Sequence, residues 1–344
     1  MTEPAGTIKC VVWDLDNTLW EGTLLEDDAV SLRPDARRVV ETLDERGILQ
    51  SIASRNEFDP AVQMLRQFGL HEYFLHPQIN WGSKAEAVRA IAQSLNIGLD
   101  AVAFVDDEPF ERDEVAFSCP EVTCLDAADL PTLPEMPIMQ PRFVTADSRV
   151  RRQMYRSDIV RNQAEQGYAG PKEEFLASLG MVLTLFPARE DDLRRAEELT
   201  VRTHQLNATG VTYSYDELNE FRQSDDCDLW MARLEDKYGT YGHIGLALVE
   251  RGAEVWTIKL LLMSCRVMSR GVGSVMLTHL MRRVAERNVR LQAEFVPTDR
   301  NRMMLVTYRF AGFRETHRKG SVLIFENNLD SIPSLPDYMQ VIVQ

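Results

Sequence analysis

Apolar, β-branched runs recur through the first 140 residues, and each one ends on side chains that carry chemistry. Residues 8–13 read as a buried strand followed by Asp14-Leu15-Asp16-Asn17-Thr18. Residues 48–53 are followed by Ser54-Arg55-Asn56, and 101–105 by Asp106-Asp107. Helical stretches at 34–46, 59–68, 83–95 and 109–117 alternate with these strands, and a short strand is expected at 73–76. Strand and helix in turn restrict the fold to a parallel sheet with helices on both faces, whose ligands bind at the carboxyl ends of the strands.

In an extended segment, residues two apart face the same way, so Asp14 and Asp16 reach one site where the first strand ends. With Asp106 they form an oxygen-ligand cluster suited to Mg2+, which takes few protein oxygens and completes its shell with water or substrate phosphate. Lys84 opens the helix between the second strong strand and the third. Taken one at a time, Asp and Asn after strands also suit ordinary turns.

The chain has 344 residues with 38 basic and 53 acidic side chains, a net charge of −15. Residues 1–140 hold 26 acidic and 10 basic residues, so the remaining 27 and 28 leave the second half near neutral. Such acidity argues against broad contact with nucleic acid or an anionic membrane, because phosphate binding needs surplus Lys and Arg. No apolar run approaches a membrane span, and Glu3 and Pro4 stand where a signal peptide would be apolar, so a cytoplasmic protein is expected. Five irregularly spaced cysteines make no disulfide framework. At this length two domains are expected. The four prolines within 130–141 read as a boundary, which gives domains at 1–140 and 181–344 joined by a helical connector at 141–180.

Asp14, Asp16 and Thr18, then Ser54, Lys84 and the Asp106-Asp107 pair resemble, in order, the four motifs of the haloacid dehalogenase (HAD) superfamily of aspartate-dependent phosphatases. The resemblance implies an α/β Rossmannoid domain in which Asp14 attacks phosphorus and Asp16 serves as acid and then base. It also implies that Ser54 and Lys84 hold the phosphoryl oxygens, with Asn56 beside them as a binding residue. Mg2+ would sit on Asp14, the Asp16 carbonyl and Asp106, with Asp107 orienting Lys84 or a metal-bound water. The 38 residues from Asp16 to Ser54 and 30 from Ser54 to Lys84 leave room for no more than a minimal cap. The acidic stretch 20–28 is the one candidate flap.

In the second half, strands are expected at 181–186, 228–233, 242–249 and 254–262, with helices at 188–203 and 275–287. Gly271 and Gly273 lie between the last strand and the long helix, where backbone N–H groups can cradle a phosphate, although a Gly-x-Gly also suits a tight turn. The stretch 264–274, with Phe310-Ala311-Gly312-Phe313, resembles the pyrophosphate loop and late segment of the GNAT-like acyltransferase fold, implying an α+β second domain. Both halves together resemble the FkbH-like proteins. The residues carrying this likeness are Asp14 to Trp20, Val105 to Arg112, Arg202-Thr203-His204-Gln205-Leu206-Asn207, Ser264 to Met268 and Val296-Pro297-Thr298.

That resemblance implies an enzyme that dephosphorylates 1,3-bisphosphoglycerate and loads the glyceryl unit, through an enzyme thioester, onto the phosphopantetheine arm of an acyl carrier protein in polyketide biosynthesis. Arg202, Thr203, Gln205, Asn207, Arg266, Gly271, Gly273 and Thr298 become candidate substrate or carrier contacts. Cys265, at a strand end beside Arg266 and before a helix, is the candidate thiol, since positive charge and a helix dipole favour the thiolate. It could equally be a small packing residue. His204 and His243 are candidate bases. Residues 281–320 carry ten basic and four acidic side chains, a local surplus expected to meet an acidic carrier. The competing expectation is a magnesium phosphatase whose second half only binds a carrier.

Overall fold

The computed structural model describes residues 8–27 and 29–344. Glu3, Pro4 and Asp28, on which parts of the reading above rest, lie outside them. The chain divides into two compact units, Met1–Arg156 and Ser157–Gln344.

The first unit runs β1 (Cys10–Trp13), β2 (Trp20–Glu21), β3 (Ser31–Leu32), α1 (Ala36–Glu45), β4 (Leu49–Ser54), α2 (Phe58–Gln67) and β5 (Gln78–Ile79). It continues with α3 (Lys84–Leu95), β6 (Val102–Asp106), α4 (Pro109–Ser118), β7 (Thr123–Asp126) and the short α5 (Ala146–Arg149). The main sheet is parallel in the order β5-β4-β1-β6-β7. Every residue of β1, β4 and β6 is buried, as expected of central strands covered on both faces. Helix α1 buries Ala36, Val39, Val40 and Leu43, one apolar stripe at helical spacing. Among the described residues, the only insertion after β1 is the two-stranded β2–β3 hairpin, so the cap is minimal.

Two local expectations change. The strand expected at 73–76 is displaced: His71–Tyr73 forms a 3₁₀ turn, Phe74 makes a single bridge to Gln50, and pairing resumes at Gln78–Ile79. His76 has φ +50° and precedes Pro77, which has no N–H for a ladder, so the chain turns before it can pair. The proline-rich stretch 130–141 is not a bare crossing either. It folds into 3₁₀ turns at Ala127–Glu135 and Pro137–Met139, with Leu130, Leu133 and Met139 buried in the first unit's core. Arg46 bonds to the Pro134 and Met139 carbonyls, and Ile8 N–H to the Ile138 carbonyl at 3.0 Å.

The chain passes between the units within α6 (Arg151–Gln166). The second unit then comprises α7 (Lys172–Ser178), β8 (Met181–Pro187), α8 (Leu193–Arg202), α9 (Tyr215–Gln223), β9 (Cys227–Asp236), β10 (Gly239–Arg251) and β11 (Val255–Met263). After these come α10 (Val272–Arg287), β12 (Arg290–Phe295), α11 (Arg302–Phe310), β13 (Arg314–Lys319), β14 (Val322–Asn327) and β15 (Met339–Val343). Its sheet has the order β13-β14-β12-β11-β10-β9-β8-β15, antiparallel except for β11 with β12 and β15 with β8. This is an α+β unit, with α10 as the crossover between its parallel central strands.

The β11–β12 ladder runs from Val255↔Arg290 only as far as Ile258↔Ala293. Beyond it, residues 206–208 bond to both strands: Met263 N–H to the Leu206 carbonyl at 2.9 Å, Ala208 N–H to the Leu261 carbonyl at 3.0 Å, and Val296 N–H to the Ala208 carbonyl at 3.0 Å.

Candidate active site

At the carboxyl ends of β1, β4 and β6 the expected side chains meet. Lys84 Nζ lies 2.9 Å from Asp14 Oδ1 and 2.6 Å from Asp106 Oδ2, and the Ser54 hydroxyl donates to Asp14. All four residues are buried. Burial disfavours the charged form of a carboxylate, and Asp106 beside it adds repulsion, so despite Lys84 the Asp14 carboxyl is pushed up to about 7. Burial likewise raises Asp106. Burial works against the Lys84 charge, yet Asp14 and Asp106 outweigh it and hold the ammonium above its ordinary pKa.

Carboxylate oxygens of Asp14, Asp106 and Asp107 all lie within 4.8 Å of one another. When ionised, these three carboxylates outnumber the one Lys84 ammonium, a negative surplus that a bound cation would offset. An all-oxygen donor set with that surplus fits a small, hard divalent cation. Asp107, expected to orient Lys84 or a metal-bound water, is turned to Thr18, while Lys84 pairs with Asp14 and Asp106. Asp107 Oδ1 accepts from the Thr18 hydroxyl at 3.2 Å, Thr18 Oγ1 accepts the Asp107 N–H at 3.0 Å, and Asp107 joins the cation-sized cluster.

The Asp16 carboxylate is held away from that cluster. Oδ1 accepts from the Trp20 indole at 2.7 Å and the Leu24 N–H at 3.1 Å, and Oδ2 accepts from the Asn56 amide at 2.9 Å. This leaves the Asp16 backbone carbonyl as its expected contribution to a cation. Asn56, expected to bind substrate, turns its amide to Asp16 instead. Sequence reasoning assigned no role to Trp20. The available signal was an indole N–H four residues after the acid.

In the second unit, Cys265 is half-buried in a 3₁₀ turn, Cys265–Val267, that follows β11. Helix α10 begins only at Val272, with Gly271 as its cap, so Cys265 lies outside that helix's first turn. Arg266 donates to the Tyr241 carbonyl at 2.7 Å. Gly245 pairs with Met263, and Ser264 N–H bonds to the Ile244 carbonyl. His243 Nε2 lies 3.6 Å from Asp192, whereas His204 is exposed.

Three expected contact residues serve the fold. Asn207 is fully buried and accepts from the Thr209 and Gly210 amides. Thr298 Oγ1 accepts from the Arg300 and Asn301 amides. Gly273 presses on β11, since a Cβ there would lie 2.7 Å from Met263 Sδ. Gly271, at φ +82°, is covered by Tyr338, whose hydroxyl would be 2.4 Å from an added Cβ. Neither glycine therefore leaves room for a side chain. Of the other candidates, Arg202 is half-buried 4.0 Å from Glu198, Thr203 is buried and Gln205 is exposed. Asn301 was missed. Its buried amide donates to the carbonyls of Asn207 at 3.0 Å and Val296 at 2.8 Å and fixes the segment lodged between β11 and β12.

No helix among the described residues is long and apolar enough to cross a membrane. No family model matches the chain. Human magnesium-dependent phosphatase 1 is 32% identical over 136 residues, covering 34% of this chain and 76% of that protein. Among solved structures, the N-terminal, phosphatase-containing part of a Bacteroides fragilis protein, complexed with Mg, is 29% identical, with a TM-score of 0.33 over 36% of this chain; the match spans 38% of that chain. The ribosomal-protein-S18-alanine N-acetyltransferase of Escherichia coli is 16% identical, with a TM-score of 0.34 over 42% of this chain and 92% of its own. On the human relative and the four motifs converging at one sheet end, the chain belongs, through its first unit, to the HAD-type magnesium-dependent phosphatases.

Proposed function

We propose that the protein is a magnesium-dependent phosphatase and glyceryl transferase that takes 1,3-bisphosphoglycerate as donor and an acyl carrier protein as acceptor. The observation that carries the phosphatase half is the convergence of Asp14, Ser54, Lys84 and Asp106 on one buried site. Asp14, Asp106 and Asp107 would hold Mg2+, which would supply the charge that lets an anionic nucleophile meet an anionic phosphate. Asp14 attacks phosphorus and becomes an aspartyl phosphate. Asp16 protonates the leaving oxygen and then deprotonates the attacking water. Ser54 and Lys84 hold the phosphoryl oxygens, and Lys84 offsets the charge gathering there.

The donor's acyl phosphate is an activated carboxylate that a thiolate can displace without a nucleotide, while its monoester needs a phosphatase. One chain with both an aspartate site and the half-buried Cys265 meets that demand. The carrier surface is α11 with β13: Arg302 and Arg309 precede a strand whose every residue is exposed and which carries Arg314, Arg318 and Lys319. Phe310 beside them is 86% exposed. A basic surface with an exposed aromatic suits an acidic partner.

The segment 206–208, bonded to Leu261, Met263 and Val296, favours a second reading, in which the second unit only binds the carrier. Intact-protein mass measurement with donor and magnesium separates the two. A glyceryl adduct absent from Cys265→Ala supports transfer; phosphate release without any adduct supports the binding module.

A further inference from the structure

The sheet of the second unit ends in β13 on one side and β15 on the other. An edge strand offers a row of backbone donors and acceptors to any other strand, and proteins blunt such edges with charge, proline or a bulge. Edge β13 is blunted twice: it carries Arg314, Glu315, Arg318 and Lys319, and its pairing with β14 slips between Glu315 and His317. Edge β15 has neither device. It reads Met339, Gln340, Val341, Ile342 and Val343, without charge or proline, and its register with β8 runs through without a shift. Ile342 and Val343 are nonetheless 38% and 51% exposed. The direction of its backbone groups is also fixed. Gln344 N–H bonds to the Leu185 carbonyl at 3.0 Å and so points to β8. Backbone groups two residues apart on a strand point the same way, so Gln340 and Ile342 also face β8, and Met339, Val341 and Val343 present theirs to the open side.

We propose that β15 is a self-association edge, at which two copies of this chain pair antiparallel about a two-fold axis through Val341. In that register Val341 stands opposite the same residue of the second copy, and each donates its N–H to the other's carbonyl, the hydrogen-bonded type of antiparallel pair. Val343 then lies opposite Met339 on one face of the sheet and Ile342 opposite Gln340 on the other, so the two exposed apolar side chains of each copy gain cross-strand neighbours. The strand suits itself because it is uncharged. The same centred pairing of β13 would set Arg314 against Lys319, a like-charge contact that penalises it. A contact of identical surfaces closes after two copies, so the product is a dimer rather than a fibre. No residue of β15 belongs to either candidate site, and the inference stands whether or not the proposed chemistry does.

The test is sedimentation velocity of the full chain, joined to cross-linking of single-cysteine additions. Wild type should sediment as a dimer at micromolar concentration. Val341→Pro deletes the central outward N–H and keeps every bond to β8, while Ile342→Lys with Val343→Lys puts charge along the edge. Each should weaken association by about a hundredfold or more and sediment as a monomer where wild type is dimeric. Val341→Cys decides the matter if those variants do not fold, because it leaves the strand intact. On the axis the two Cα atoms of such a pair lie about 5.5 Å apart, within reach of a disulfide. Mild oxidation with copper phenanthroline should link Val341→Cys into a covalent dimer at least about tenfold faster than Gln340→Cys, whose thiol faces Ile342 of the second copy rather than its own counterpart. Wild type that stays monomeric, association unchanged in both edge variants, or Gln340→Cys linking as fast as Val341→Cys would overturn the proposal.

Discussion

Replacing the nucleophile should make the metal-free protein more stable. Asp14 is buried beside Asp106, and its carboxyl is held at about 7 rather than the ordinary 3.8. At ~1.4 kcal/mol per pH unit, that difference places a penalty of about 4 kcal/mol on the ionised native state. Asp14→Asn removes that penalty, in which the favourable Lys84 contact is already counted. The net expectation is a gain of up to about 4 kcal/mol above neutral pH. The sign follows from linkage. A carboxyl whose folded pKa is raised contributes no penalty below its unfolded value, and the penalty grows as pH rises from about 4 to about 7. Urea unfolding in EDTA should therefore show the variant ahead of wild type near pH 8 and level with it near pH 4. Magnesium should reverse the order at pH 8, because only wild type gains fully from binding the ion. A variant that is less stable than wild type in EDTA at pH 8, or a gain that is the same at both pH values, would refute the reasoning.

Other expectations follow from particular contacts. Lys84→Met leaves Asp14 and Asp106 facing each other without a cation and should cost the metal-free protein about 3–5 kcal/mol in urea unfolding. Arg161→Met should lose a similar ~3–5 kcal/mol, since the buried guanidinium holds both Asp236 oxygens and lies 3.8 Å from the Tyr241 ring centre. Gly271→Ala combines a left-handed backbone with a clash against Tyr338, so a double-mutant cycle with Tyr338→Ala should recover part of a loss of ~1–2 kcal/mol. Arg314→Glu with Arg318→Glu should slow loading of an acidic carrier, most at low salt, and leave phosphate release unchanged in a stopped-flow phosphate assay.

The phosphatase site was legible because its information is local. Asp14 and Asp16 lie two residues apart on a strand end, Ser54 and Asp106 close two other strands, and parallel topology brings those ends together. What sequence reading missed depends on contacts that have no local signature. Asn56 meets Asp16 across 40 residues, and its amide could as well have faced substrate. Asn301 reaches Asn207 across 94 positions. The prolines of 130–141 marked irregular backbone correctly, but whether such a stretch links domains or covers a core depends on where Leu130, Leu133 and Met139 point. Gly271 and Gly273 show the same ambiguity: strand, glycines and helix suit a phosphate cradle, yet Tyr338 and Met263 occupy the space the missing side chains leave.

The most direct test of the central claim is intact-protein mass spectrometry of the full chain after brief exposure to 1,3-bisphosphoglycerate and magnesium, with wild type, Asp14→Asn and Cys265→Ala side by side. The account predicts phosphate release and a glyceryl adduct in wild type, no monoester hydrolysis in Asp14→Asn, and no adduct in Cys265→Ala. Monoester hydrolysis that survives in Asp14→Asn, or an adduct that survives in Cys265→Ala, would contradict it.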